Sequence, residues 1–275
     1  MILDYSEFIT NEETLSNDGG KCISSIVNSD LFYSERGRCP HCNLISKNVF
    51  QSQYDKTYQY GEGPSGSIHI WECARCGWWE IKENNNFQFP DAAQGTETVI
   101  HSILKSFEED SADVPISSLR NEIRSNGDLL NKINPYRMEK LVQSIFSEFY
   151  NCEVEHCGQT NDGGIDLIVV NKDEPLLVQV KRRINPRKSE GVSQVRELLG
   201  STLLKGEKSC AFVTTADSFS KQSQNESKKA LTLGLVNKYE LFNKTRLLEM
   251  LGLISKNKEE HWRKHLETWD STHNA

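Results

Sequence analysis

Asp162-Gly163-Gly164-Ile165-Asp166-Leu167-Ile168-Val169-Val170, followed shortly by Leu176-Leu177-Val178-Gln179-Val180-Lys181, is the stretch that decides how this chain folds. Residues 165–170 and 176–180 are apolar, strand-like runs, and the turn-forming Asn171-Lys172-Asp173-Glu174 separates them. A hairpin whose loop is 171–174 pairs position 170 with 175 and therefore 166 with 179. Polar residues on apolar strands are costly unless they have a task. Asp166 heads the first strand, while Gln179 and Lys181 alternate along the second and project from one face. All three then converge at the open end of the hairpin. A loop of the other parity turns Asp166 to the opposite face and removes the convergence.

The flanking sequence supplies the rest of a domain. Asn134 is placed to cap a helix with Pro135 at its first position, and Met138, Leu141, Val142, Ile145 and Phe149 form its apolar stripe. After the hairpin, Val192, Val195, Leu199 and Leu203 share a helical face. A buried strand at 210–215, a helix near 218–233, a short strand near 239–242 and a helix at 244–252 follow. Helix, hairpin, helix, strand, helix and strand predict an α/β domain with a mixed sheet between helices.

A carboxylate and an amide oxygen can hold a divalent cation, and a nearby ammonium can orient or help deprotonate a water. Metal-assisted phosphodiester hydrolysis needs that set. Singly, each residue fits ordinary hairpin chemistry, with Asp166 bonding a turn and Lys181 reaching solvent. As a set, joined by Glu139 beside the stripe of the preceding helix, they point to a site. Asp162 reads better as the cap of the Gly163-Gly164 turn than as an alternate or supporting ligand of the site. Arg182, Arg183, Arg187 and Lys188 emerge beside the site, as a solvated face or as phosphate contacts. Gln194 and Arg196 open the next helix and could approach the same region.

Residues 134–252 resemble the catalytic domain of Mrr-type restriction endonucleases, within the PD-(D/E)xK nuclease superfamily. Glu139, the Asp-Gly-Gly-Ile-Asp run ending at Asp166, and Gln179-Val180-Lys181 carry the resemblance, with Val195-Arg196-Glu197-Leu198-Leu199-Gly200, Val213-Thr214-Thr215 and Phe219 downstream. Gln at 179, where the wider superfamily has Glu, is the Mrr-type form. The resemblance implies a restriction-endonuclease-like α/β/α core. It implies Asp166 and Gln179 as Mg²⁺ ligands with the Val180 carbonyl, and Lys181 as the water-activating group. It also implies a DNA endonuclease leaving 5′-phosphates, set in bacterial defence against foreign or modified DNA. Cutting both strands calls for two active sites, hence an expected homo-oligomer. The competing reading is a DNA- or protein-docking module of a defence complex, with a partner such as an ATPase and weak or conditional cutting.

Upstream, Cys39-Pro40-His41-Cys42 and Cys73-Ala74-Arg75-Cys76-Gly77 have the spacing of a four-thiolate zinc site. Each CxxC turn aims two sulfurs at one ion, and four thiolates close the sphere, so the zinc is structural. The segment resembles a zinc ribbon. Tyr54, Tyr58, Tyr60, Trp71, Trp78 and Trp79 surround the knuckles and serve better as a small core than as a base-stacking surface. Cys22, Cys152, Cys157 and Cys210 read as buried thiols, and His156 between two of them is weak evidence for a metal. His261 and His265, four apart and able to share an ion, read better as part of a tail helix with Trp262 and Trp269 packed down.

The 275 residues, 36% hydrophobic and 26% charged, fit two domains and exclude collagen, coiled coil and wholesale disorder. The net charge of −7 is uneven. Residues 1–130 carry 10 Lys+Arg against 20 Asp+Glu, and residues 131–250 carry 18 against 15. Only the back half favours a polyanion, while the acidic front leaves protein docking open. No apolar run approaches the ~20 residues of a membrane span, and the start lacks the pattern of a signal peptide, so a cytoplasmic protein is expected. The expected segments are helical 1–35, a zinc ribbon at 36–92, a helical linker at 93–133 that includes a helical reading of Val99, Ile100, Ile103, Leu104 and Phe107, the nuclease-like domain at 134–252, and the tail at 253–275.

Overall fold

A computed structural model describes residues 1–16, 23–24, 26–56, 63–89, 92–157, 163–170, 174–254, 260–266 and 269. The chain divides into two units, one of residues 1–2 with 107–258 and one of 3–106 with 259–275. No helix among the described residues is long and apolar enough to cross a membrane.

The second of these units is built on an antiparallel sheet. Its strands are β2 (Phe8–Ser16), β3 (Ile23–Ser24), β4 (Lys47–Asp55), β5 (Ser65–Glu72), β6 (Trp79–Phe89) and β7 (Ala92–Ser102), in the order β3-β2-β7-β6-β5-β4. β1 (Ile2–Asp4) and β8 (Lys105–Phe107) form a two-stranded sheet of their own, and α1 (Ser29–Phe32) is a single turn. One face of the large sheet packs Ile68, Ile70, Trp78, Trp79 and Ile81 with Trp262, Leu266 and Trp269 of the C-terminal segment. The indoles thus make a core, and the tail tryptophans pack down as their spacing implied. The expected helices at 1–35 and 93–107 are instead mostly strand. Val99 and Ile100 are both buried, on opposite faces, because this strand is covered on both sides. A doubly covered strand mimics helical apolar spacing. β2 hides for a related reason: its fully buried position is Asn11, whose Oδ1 accepts the Val27 and Asn28 N–H groups at 2.8 and 2.9 Å.

The first unit has the mixed sheet expected. α2 (Ile116–Ser125) and a 3₁₀ turn (Gly127–Asn131) precede α3 (Pro135–Tyr150). Asn134 caps α3, its Oδ1 accepting the Tyr136 N–H at 2.9 Å. Then come β9 (Val154–His156), β10 (Leu167–Val169), β11 (Leu176–Lys181), α4 (Val192–Leu204), β12 (Ser209–Thr214), α5 (Lys221–Thr232), β13 (Lys238–Phe242) and α6 (Lys244–Leu253). The sheet order is β13-β12-β11-β10-β9. β9, β10 and β11 pair antiparallel, whereas β11, β12 and β13 pair parallel. Two cores lie on opposite faces. Met138, Leu141, Val142 and Ile145 of α3 meet Leu167, Val178, Val180, Ala211 and Val213 on one. Val195 and Leu198 of α4 meet Leu177, Cys210 and Phe212 on the other. Three layers, α/β/α, follow from this alternation. Burial pushes the Cys210 thiol up to about 12, so it behaves as an inert packing group.

Candidate active site

β11 is where the sheet changes from antiparallel to parallel, and its C-terminal end lies beside the start of β10. Leu167 pairs with Val178, Ile168 with Leu177 and Val169 with Leu176. The ladder ends at Leu167 opposite Val178, so the expected pairing of 166 with 179 is not part of it, and residues 171–173 of the loop lie outside the described residues. Asp166 itself stands just before the strand, where the regular alternation breaks. Ile165 packs toward α4 while Leu167, two residues on, packs toward α3. The chain rolls over at Asp166. Its N–H donates to the Val178 carbonyl at 2.9 Å, and its Oδ2 accepts the Val180 N–H at 2.6 Å. The carboxylate is therefore pinned against the backbone of the Gln179-Val180-Lys181 segment.

The turn ahead of Asp166 uses two left-handed glycines, Gly163 at φ 73° and Gly164 at φ 78°. A Cβ at 164 would stand 2.9 Å from Gln179 Nε2, so the Gln179 amide needs the missing side chain. Ser201 of α4 donates to the Gly163 carbonyl at 2.5 Å and ties this turn to α4. Asp162, read as its cap, lies outside the described residues.

Gln179 is 7% exposed, and its Oε1 is buried with no hydrogen-bond partner among the described residues. A buried amide oxygen left without a donor is costly. Lys181 projects from the same face of β11, opposite Thr214 of β12. Val180 turns its side chain into the α3-side core, so only its backbone faces the site. Glu139 is held elsewhere: its Oε2 lies 2.7 Å from His156 Nε2. His156 is opposite Leu167, and the Cys157 N–H donates to the Asp166 carbonyl at 2.8 Å. Glu139 thus borders the site through β9, on the α3 side of the sheet.

The basic run divides. Both oxygens of Glu190, a residue 0% exposed, take the Arg183 guanidinium, at 2.5 and 2.6 Å. Thr214 Oγ1 donates to the same carboxylate at 2.9 Å. Arg183 is thereby a brace for the segment after β11, not a free phosphate contact, and the Glu190 hydrogen bond holds its guanidinium still more firmly protonated. Arg182 donates to the Asn131 carbonyl at 3.1 Å, while Arg187 and Lys188 are exposed. Arg196 pairs with Glu226 at 2.9 Å, and Gln194 donates to Glu197 at 3.4 Å. The Asn131 side chain donates to the Arg183 and Thr215 carbonyls at 2.7 and 3.0 Å and accepts from Lys244 at 3.0 Å. Glu190 and Asn131 were not foreseen; the signal for Glu190 was a single acid closing a run of four cations.

In the other unit the two CxxC turns are copies of one local structure. Cys39 N–H donates to the Leu44 carbonyl and Asn43 N–H to the Cys39 carbonyl, at 3.0 and 2.9 Å. Cys73 N–H donates to the Trp78 carbonyl and Gly77 N–H to the Cys73 carbonyl, at 2.7 and 2.8 Å. Asn43 and Gly77 hold matching left-handed positions, φ 52° and 86°. The four sulfurs lie within 4.8 Å of one another, with Cys39 and Cys76 Sγ 3.6 Å apart. A tetrahedral zinc with sulfur at about 2.3 Å requires edges of about 3.8 Å. Among the described residues this is the one group of three or more Cys, His, Asp or Glu with such spacing.

No curated protein matches the chain. The solved structure of restriction endonuclease FokI is similar at a TM-score of 0.34 and 12% identity, over 59% of this chain and 34% of that one. The chain therefore spans about a third of that relative's length. Residues 130–251, which include Glu139, Asp166, Gln179 and Lys181, are similar to the Mrr catalytic-domain family, described as restriction endonuclease.

Proposed function

We propose that the α/β/α unit hydrolyses phosphodiester bonds of DNA with the help of Mg²⁺. The observation that carries this reading is the buried Gln179 Oε1, unpartnered among the described residues, beside the pinned Asp166 carboxylate, with Lys181 on the same strand face. One carboxylate, one amide oxygen and the Val180 carbonyl form a hard, all-oxygen donor set, suited to a cation that keeps several waters. Asp166, Gln179 and the Val180 carbonyl would hold it. Bound there, it would supply charge to the phosphate and acidity to a water. Lys181 orients the attacking water and holds or passes its proton. Asp166 also accepts the Val180 N–H, so the carboxylate is fixed before substrate arrives. The similarity over residues 130–251 supports the reaction class.

The remaining terms of this reading rest on the resemblance and on charge. They are defence against foreign or modified DNA in a bacterial cytoplasm, action as a homo-oligomer, and docking of the acidic unit on a protein such as a defence ATPase. In that acidic unit Cys39, Cys42, Cys73 and Cys76 would hold a structural Zn²⁺. Supercoiled plasmid incubated with Mg²⁺ tests the reaction: the intact chain nicks or linearises it, and Asp166→Ala does not. Equal conversion by both would reject the assignment.

A further inference from the structure

The proposed reaction leaves one cluster beside the site unused. Tyr136 sits in the first turn of α3 and is 48% exposed, as Phe149 at the other end of the same helix is at 43%. Arg137 and Lys140 flank the ring, the Arg137 guanidinium carbon at 6.0 Å and Lys140 Nζ at 5.6 Å from its centroid. His156 stands edge-on against it, with centroids 5.5 Å apart at 83°. His156 also holds Glu139, and the next residue donates to the Asp166 carbonyl. A short chain of contacts therefore links the ring to Asp166.

The cations of the unit fall into two groups, those that hold a carboxylate and those, Arg182, Arg187 and Lys188 among them, that hold none among the described residues. Arg120, Arg183, Arg196 and Arg246 each hold a glutamate. Arg137 holds no carboxylate among the described residues, and its Nε is buried without a partner. Among the described residues Lys140 donates only to the Gln143 amide oxygen, at 3.2 Å. Both cations stand at the outer range of a cation–π contact, so they can turn to an anion without losing much. An exposed ring between two cations lacking acidic partners, linked through His156 and Cys157 to the backbone of Asp166, has the chemistry of a single-strand contact.

We infer that the first turn of α3 receives an unpaired stretch of nucleic acid, with a base stacked on Tyr136 and the flanking phosphates held by Arg137 and Lys140. This rests on the DNA-hydrolase reading and adds a substrate class to it: DNA that is single-stranded or unstacked next to the scissile bond. Stacking needs the ring and not its hydroxyl, whereas the cations act through counterion release.

The test is fluorescence anisotropy in an Asp166→Asn background, which keeps an acceptor for the Val180 N–H and suppresses cutting. A labelled single-stranded oligonucleotide and a fully paired duplex are titrated over a salt series. Tyr136→Ala is expected to weaken single-strand binding about tenfold, with a smaller loss on the duplex, and Tyr136→Phe to bind as the parent does. Arg137→Gln with Lys140→Gln is expected to make the single-strand salt slope shallower by about 1.4. Parent-like binding by Tyr136→Ala, or the same loss on both DNAs, overturns the inference and leaves the hydrolase reading standing. A parent that binds neither DNA in a salt-dependent way overturns both.

Discussion

At the scale of single residues, the site depends on groups whose positions follow from their neighbours. Gly164 shows this most simply. A methyl group there would be strained at φ 78° and would press on the Gln179 amide. Gly164→Ala is expected to destabilise the unit by about 1–2 kcal/mol and to reduce nicking further than that loss explains, since Gln179 must move. Urea melts read beside nicking rates check this, and unchanged nicking would show that the Gln179 amide does not need its present place. Asp166, Gln179 and Lys181 were legible as polar residues breaking apolar strands. The actual orientation of Asp166 was not, because it depends on a rollover between Ile165 and Leu167 that strict alternation does not contain. Nor was the pairing of Arg183 with Glu190, which joins residues across a loop with no periodicity.

At the scale of elements, the order from α3 to α6 was readable because caps and turns punctuate it. Asn134-Pro135 opens α3 and Asn243 opens α6, where its side chain accepts the Arg246 N–H at 3.0 Å. The N-terminal sheet was not readable, since strands covered on both faces or carrying a buried Asn lose their period. The segment between β11 and α4 shows how elements are locked together. Glu190 joins Arg183 to Thr214, directly across from Lys181. Glu190→Ala leaves a guanidinium and a hydroxyl without their acceptor. It is expected to cost about 2 kcal/mol, less than for a wholly buried pair because the Arg183 side chain is 32% exposed. Chemical denaturation of the two proteins measures the difference, and a change below about 0.5 kcal/mol would mean that the pair does not brace the segment.

At the scale of the whole molecule, the two units can be followed separately. All five tryptophans lie in the unit of residues 3–106 and 259–275, so indole emission reports on it alone. If the four cysteines hold zinc, chelation is expected to red-shift that emission and release one ion per chain, and Cys39→Ser with Cys42→Ser to abolish the ion. Emission that stays put with no metal released would remove zinc from the proposal. Burial holds His101 and His265 below their ordinary value, with Arg36 and Lys264 adding to the effect. Their neutral forms belong to the fold, while the unfolded chain takes up protons near pH 6.5. Their contribution to stability is full above about pH 6.5 and falls as the pH drops below it. His101→Leu should therefore flatten the pH dependence of tryptophan-monitored unfolding between about pH 7.5 and 5.5, and an unchanged slope would show that His101 does not titrate in this way. The most direct measurement concerns the other unit: plasmid nicking in Mg²⁺ by the intact chain and by Lys181→Ala at matched folded concentration. Cleavage by the first and its loss in the second is the expected result; equal cleavage by both, or none by either, would contradict a hydrolytic site built on Asp166, Gln179 and Lys181.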